Sequence, residues 1–364
     1  MGTVKRIERV SKRSLMRFLG RFISAPRRSP EFFRSSRFDK ILVIRQHNQM
    51  GDMLLAIPAF RAIRSSHPEA AIGVVTSTLN RDVLVNNPYI DRLYTYDKRN
   101  PLSHLRLIRD LRRERYDLVI VLHTVSFSFT SLVLAVLSGA ALRIGSTSKY
   151  VGDSLTGSYL SLTLPLPDQA ELATMNESEH NLYPLRAVGI DTDDLAPLIV
   201  PAAANARWAQ SFVEEHWSGD GLKLIVHPGA GKTENTWPAG RFAEVVNTLD
   251  RIRPVNLVVI EGPRDASAVS AFSAACAVRA KVVRKRGIGD VAALLPRADL
   301  VICNDTGVMH VAAAAGANTL AIFGPTDPGR WAPRAARLHI VRAADGRMES
   351  VTATRVVQQA VEAL

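Results

Sequence analysis

The feature that most constrains this chain is a rhythm. A short β-branched apolar run, a polar turn and a stretch of helical period follow one another repeatedly, stop, and then begin again. In the first half the runs are ILVIR (41–45), AIGVVTS (71–77), RLYTY (92–96), LVIVLH (118–123) and ALRIGS (141–146), with helical stretches at 52–66, 101–113 and 127–138. In the second they are LKLIVHPG (222–229), VNLVVIEG (255–262), KVVRK (281–285), LVICND (300–305), NTLAIFGP (318–325) and 338–342, with helices at 238–250, 265–277, 289–297, 307–315 and 352–363. Strands alternating with helices imply parallel sheets covered on both faces. The prediction is therefore an α/β chain of two Rossmann-like, doubly wound domains facing a central cleft. The boundaries expected are a basic tail over 1–38, a first domain over 39–198 and a second over 199–364, with the last helix returning to pack on the first. Residues 150–200 are less regular and carry the acidic, polar stretch ELATMNESEH.

Composition bears on partners and compartment. The net charge is +12, but residues 1–38 hold eleven Lys or Arg and two Glu, leaving only +3 for the other 326 residues. The basic character thus belongs to a tail, which argues against a specific nucleic-acid surface on the body. Within the tail Val10, Leu15, Phe18, Leu19, Phe22 and Ile23 alternate with basic residues. Two readings stand: an interfacial helix drawn to an anionic membrane surface, and a solvated basic arm. The longest apolar stretch, 131–144, falls short of the roughly 20 residues a spanning helix needs and contains Gly139 and Arg143. Two distant cysteines, Cys276 and Cys303, give no disulfide framework, so a cytoplasmic location is expected, peripheral to the inner face of a bacterial inner membrane if the tail binds lipid.

In doubly wound sheets ligands bind beyond the carboxyl ends of the strands, so the residues that follow each strand carry the chemistry. After the first come Gln46-His47-Asn48-Gln49-Met50-Gly51-Asp52. Asp52 opens a helix, where a carboxylate serves equally as an N-cap or as a base at the mouth of the sheet. His47, Asn48 and, after the fourth strand, His123 are candidates for lining an acceptor side. After the first strand of the second half comes His227-Pro228-Gly229-Ala230-Gly231-Lys232-Thr233, in which Gly229, Lys232 and Thr233 suit a phosphate-wrapping loop without Walker spacing. The sharpest cluster is Asn304-Asp305-Thr306-Gly307, with His310 one turn into the following helix. A helix N-terminus with a hydroxyl is an anion site, and Thr306 and His310, four apart, share one side. The loop FGPTDPGRWAP (323–333) closes the same crevice. No HExxH, Cys pair, GxSxG elbow or GxGxxG is present, and no metal site and no cofactor are expected.

Three segments together resemble glycosyltransferase family 9, the ADP-heptose:lipopolysaccharide heptosyltransferases: ILVIRQHNQMGDMLLAIPAFRAIR (41–64), HPGAGKTENTWPAGRFAEVV (227–246) and NDTGVMHVAAAAGANTLAIFGPTDPGRWAP (304–333). The resemblance covers about residues 40–364. It implies a GT-B fold and an inverting, metal-independent transfer from a nucleotide sugar, ADP-heptose being favoured, to a hydroxyl of a lipid-linked saccharide. It implies that Asp52 is the catalytic base and that Asp305, Thr306, Gly307 and His310 contact the nucleotide. Three positions depart from the family's pattern. Asn48-Gln49 stands where a small pair is usual. Asn235 stands where a Lys is usual before Trp237, with Lys232 three residues earlier. No acidic donor reader is evident in Glu261-Gly262-Pro263-Arg264-Asp265. The alternatives are another nucleotide sugar or a non-catalytic nucleotide-binding relative.

Overall fold

The structure, a computed structural model, describes residues 24–46, 49–122, 128–146, 159–217 and 219–364. The basic tail up to residue 23, together with His47, Asn48 and His123, lies outside the described residues.

Two six-stranded sheets, all of whose strand pairings are parallel, organise the molecule. The first contains β1 (Lys40–Ile44), β2 (Ala71–Ser77), β3 (Arg92–Tyr96), β4 (Leu118–Val121), β5 (Leu142–Ser146) and β6 (Leu162–Leu164) in the order β3-β2-β1-β4-β5-β6. The second contains β7 (Leu222–His227), β8 (Val255–Glu261), β9 (Ala280–Arg284), β10 (Leu300–Asn304), β11 (Thr319–Phe323) and β12 (Leu338–Arg342) in the order β12-β11-β10-β7-β8-β9. Counted within each half, both follow the dinucleotide-fold order 3-2-1-4-5-6, so each has its topological switch point between its first and fourth strands. Asp52 follows β1, and the 305–310 corner follows β10. The sheet order thus places one candidate cluster beside each switch point.

The central strands are almost wholly buried apolar runs, as a sheet covered on both faces demands. One hydrophobic cluster runs from Ile41, Phe60 and Ile120 of the first half to Ile225, Val301 and Val311 of the second, so the halves share buried surface. The stretch expected as one helix over 52–66 is two helices, Met50–Leu54 and Ile57–Ser66. Pro58 lies at the start of the second, where its missing N–H costs nothing. The irregular middle contains the short strand β6 and the helices Gln169–Thr174 and Glu177–Arg186, each opened by a capping box. The last helix, Ala353–Ala363, buries Val356 and Ala360 in the core of the second sheet rather than returning to the first half as expected.

Candidate active site

The first half supplies a turn that carries a carboxylate. Arg45, the first residue past β1, is buried, and its guanidinium donates to the backbone oxygens of Asp52 (3.0 Å) and Leu122 (3.4 Å). This pins the 45–52 turn from inside. Gln49 takes the N-cap position of the Met50–Leu54 helix without a side-chain cap, and Asp52 lies in its first turn rather than at the cap. The carboxylate is therefore free of the capping role the sequence allowed. Burial raises its pKa above the ordinary aspartate value, the Arg45 cation opposes that shift, and the Glu177 carboxylate adds to it. Raised basicity suits a group that must take a proton near neutral pH.

The second half supplies a corner with unbonded donors. Thr306 is the N-cap of the Gly307–Ala314 helix, yet its hydroxyl makes no capping hydrogen bond. The first N–H groups of that helix have no intrahelical partner, as at any helix start. Below them Asn304 is fully buried. Its amide donates to the Pro228 and Gly229 carbonyls (3.0 Å each) and its oxygen accepts from the Trp237 N–H (3.0 Å). Asp305 accepts from Thr326 Oγ1 (2.5 Å) and Asn235 Nδ2 (3.1 Å), and the Lys232 cation acts on it. Burial raises the Asp305 pKa against those two contributions from Thr326 and Lys232. The loops after β7, β10 and β11 are thus tied into one corner. Asn235, where the family pattern has a lysine, reaches Asp305 directly, and Lys232 stands beside the same carboxylate.

Gly229 has a structural reason of its own: a side chain there would collide with the Asp265 carboxyl group. Asp265 also accepts from the Gly262 N–H (2.9 Å) and faces His227 Nε2 at 3.8 Å. Thr233, itself exposed, begins the 3₁₀ turn Thr233–Asn235, whose last residue is buried.

The two clusters meet. A Cβ on Gly51 would stand 2.7 Å from His310 Cδ2, and one on Gly307 would stand 2.8 Å from Met50 Cε. Two glycines, one per half, therefore allow the Asp52 turn and the start of the Gly307–Ala314 helix to approach within van der Waals contact. His310 is buried between them, and burial lowers its pKa to about 4. It is a neutral imidazole at neutral pH. The unfolded chain takes up this proton near 6.5 and the folded chain only near 4, so stability is full above about pH 6.5 and is lost as pH falls through that window. At about 1.4 kcal/mol per unit the loss is roughly 3 kcal/mol. Urea midpoints of wild type and His310→Gln, taken on both sides of this window, should show the variant losing less stability on acidification. Identical pH dependence would contradict the assignment.

A third element was not legible in the sequence. Asn176 caps the Glu177–Arg186 helix and also donates to the Gly329 and Ala332 carbonyls (3.1 and 2.9 Å), which lie in the loop after β11. Glu177 is buried against Arg330 Nη2 (3.6 Å) and His180 Nδ1 (3.3 Å). Burial pushes its pKa up, but the His180 hydrogen bond and the charges of His180, Arg45 and Arg330 outweigh it, leaving the pKa below the ordinary value. A chain of charge, Arg330–Glu177–Arg45–Asp52, thus links the second half's loop to the first half's turn. The only sequence signal was the capping box NESE at 176–179. Buried side-chain atoms without a protein partner include Arg45 Nε, Gln46 Oε1, Asn235 Oδ1, His310 Nδ1 and Arg330 Nε, all from segments around this cleft. Such groups mark a place where water or ligand completes the hydrogen bonding. Among the described residues no group of three His, Cys, Asp or Glu side chains gathers as a metal site.

Two parallel sheets of dinucleotide-fold order, one on each side of a polar cleft, are the GT-B fold. The family model described as glycosyltransferase family 9 (heptosyltransferase) matches residues 104–360, and the chain belongs to that family. It is similar to lipopolysaccharide heptosyltransferase 3 of Escherichia coli, 25% identical over 294 residues that span 78% of this chain and 83% of that one. Among solved structures it resembles the family 9 glycosyl transferase from Veillonella parvula, with a TM-score of 0.79, 23% identity and coverage of 90% of this chain and 97% of that one. It also resembles the E. coli ADP-heptose lps heptosyltransferase II, with a TM-score of 0.73, 21% identity and coverage of 89% and 98%.

Proposed function

We propose that this glycosyltransferase moves heptose from ADP-heptose to a hydroxyl of a lipopolysaccharide-type saccharide, with inversion and without a metal ion. The first half would hold the acceptor and the second the donor. The observation that carries the reading is the contact of Gly51 with His310 and of Met50 with Gly307, which sets a half-buried carboxylate beside a helix N-terminus across one cleft. A base and an anion site on facing sides of one cleft suit attack by a hydroxyl on one face of a sugar and departure of a diphosphate from the other.

In this reading Asp52 takes the proton of the attacking hydroxyl as its oxygen bonds to the anomeric carbon. The bond to the nucleoside diphosphate breaks on the opposite face. The charge that develops on the leaving phosphate is met by the N–H groups at Gly307, the Thr306 hydroxyl, Lys232 and the 229–233 loop. Neutral His310 would hydrogen-bond the phosphates, and Asp305 would hold the corner in register through Asn235 and Thr326. Arg45 would keep the turn in place, and contact of Asn176 and Glu177 with the 327–332 loop would exclude water from the closed cleft. Lipopolysaccharide assembly as the setting is supported by the name of the curated relative.

Calorimetric titration with ADP, UDP and GDP, with and without magnesium, tests the donor. ADP should bind most tightly, with an affinity that ignores magnesium. A preference for UDP or GDP would keep the family and overturn the heptose donor; no binding to any of the three would favour a non-catalytic relative.

A further inference from the structure

We propose that the exposed face of the Pro101–Glu114 helix is a docking surface for an anionic lipid bilayer, built into the folded body and separate from the basic tail. The helix is firmly fixed. Asn100 caps it by accepting from the Ser103 N–H, His104 stacks on Tyr96 (centroids 4.5 Å apart) and bonds the Asp97 carbonyl, and Leu107 and Leu111 are buried against the sheet. Its outer face is therefore a property of the fold, not of a frayed end.

On that face Leu102, Arg106, Arg109 and Arg113 fall at i, i+4, i+7 and i+11, one stripe along the helix, with Leu105 and Arg112 beside it. Leu102 is 79% exposed and Leu105 70%. Two leucines left in water on a rigid helix are a cost unless something covers them. Cations dominate the charges beside them, with Asp110 on the flank of the stripe. Among the described residues Arg109 pairs with its neighbour Asp110 alone (3.3 Å), and Glu114, on the inner side, is engaged with Arg92 and Lys40. Lys98 and Arg99, just before the helix, are exposed as well. Leucines that reach into the acyl boundary and arginines that sit at the phosphates are the composition of an interfacial helix. Duplex nucleic acid would use the arginines but gain nothing from the leucines.

The position fits the reaction. The helix starts just after β3 ends at Tyr96, so its leucine end lies at the carboxyl edge of the first sheet, the edge from which the Asp52 turn leaves β1. β3 is two strands from β1, about 10 Å within the sheet. A bilayer on this face would bring the saccharide of a lipid-linked acceptor to the rim of the cleft. That purpose rests on the acceptor proposed above; the binding itself does not.

The test is vesicle flotation of the full chain with phosphatidylcholine alone and with phosphatidylcholine containing phosphatidylglycerol, at low ionic strength. The tail contributes the same factor to every variant and cancels in the ratios. Arg106→Gln/Arg109→Gln/Arg113→Gln should lower the partition coefficient on anionic vesicles by about fivefold per arginine, on the order of 100-fold in all. Leu102→Ser/Leu105→Ser should lower it by roughly tenfold at unchanged charge. Both variants should keep the wild-type melting temperature and ADP affinity, which separates loss of docking from misfolding and from failure of the nucleotide reading. Partition of both variants within about twofold of wild type would overturn the proposal. So would an arginine effect without a leucine effect, with duplex DNA displacing the vesicles, because the face would then be a general polyanion site.

Discussion

Replacing Asp52 by asparagine should lower kcat/KM for sugar transfer by about 10²–10⁴-fold and leave ADP affinity within about twofold of wild type. The substitution is isosteric and leaves the Arg45 bond intact, because that bond goes to the Asp52 backbone oxygen rather than its side chain. What it removes is the proton acceptor. The pH profile supplies a second signature. Burial and the Glu177 charge hold the Asp52 pKa above 3.8, so wild-type kcat/KM should fall on acidification along a one-proton limb that lies above the ordinary aspartate range. That limb should vanish from the residual activity of the variant. Glu177, through its charge, is a positioning group for this titration and touches no reacting atom in the proposed mechanism. A variant that keeps more than about a tenth of the wild-type rate would remove Asp52 from the role of base.

The second large effect concerns architecture. Asn304→Ala should destabilise the second half by roughly 3–6 kcal/mol, seen as a lower urea midpoint, and should abolish ADP binding at concentrations that saturate wild type. Asn304 is fully buried and makes three hydrogen bonds, to the Pro228 and Gly229 carbonyls and from the Trp237 N–H. Truncation leaves these backbone groups without their partner inside the protein, at about 1–3 kcal/mol each. It also cuts the tie between the strand end that carries Asp305 and the 228–237 loop that carries Lys232 and Asn235. Asn304→Asp should not rescue, since a carboxylate would face two carbonyl oxygens. A loss of stability below about 1 kcal/mol would mean that other contacts hold the loop.

The contrast between Asp305 and Glu177 marks what the sequence could say. Asp305 was legible because its surroundings are local. A buried strand ends, a Thr-Gly pair opens a helix, and the periodicity of both elements fixes where the corner falls. The parallel, two-sheet character of the fold followed from the same alternation, whereas the order of strands within each sheet did not. Glu177 was illegible because its partners Arg45 and Arg330 come from distant segments, and the stretch around it reads only as acidic, polar and irregular. Polar residues that are buried only by tertiary packing leave no periodic trace. The division of 52–66 into two helices was hidden for a related reason: Leu54, Leu55 and Ala56 are buried on all sides, so the apolar pattern runs unbroken through the join. β6 has three residues and offers too short a window for period-2 alternation. Gly51 and Gly307 read as turn glycines, and their use as points of contact between the halves appears only once the cleft is assembled.

In the proposed mechanism Asp52 and the Thr306 corner act on opposite faces of one sugar. The most direct measurement is the anomeric configuration, by nuclear magnetic resonance, of the product formed from ADP-heptose and a lipopolysaccharide core acceptor in the presence of a chelator. An inverting, metal-free transfer gives a product of configuration opposite to the donor's, formed at an undiminished rate. Retained configuration, or transfer that requires added divalent metal, would contradict it.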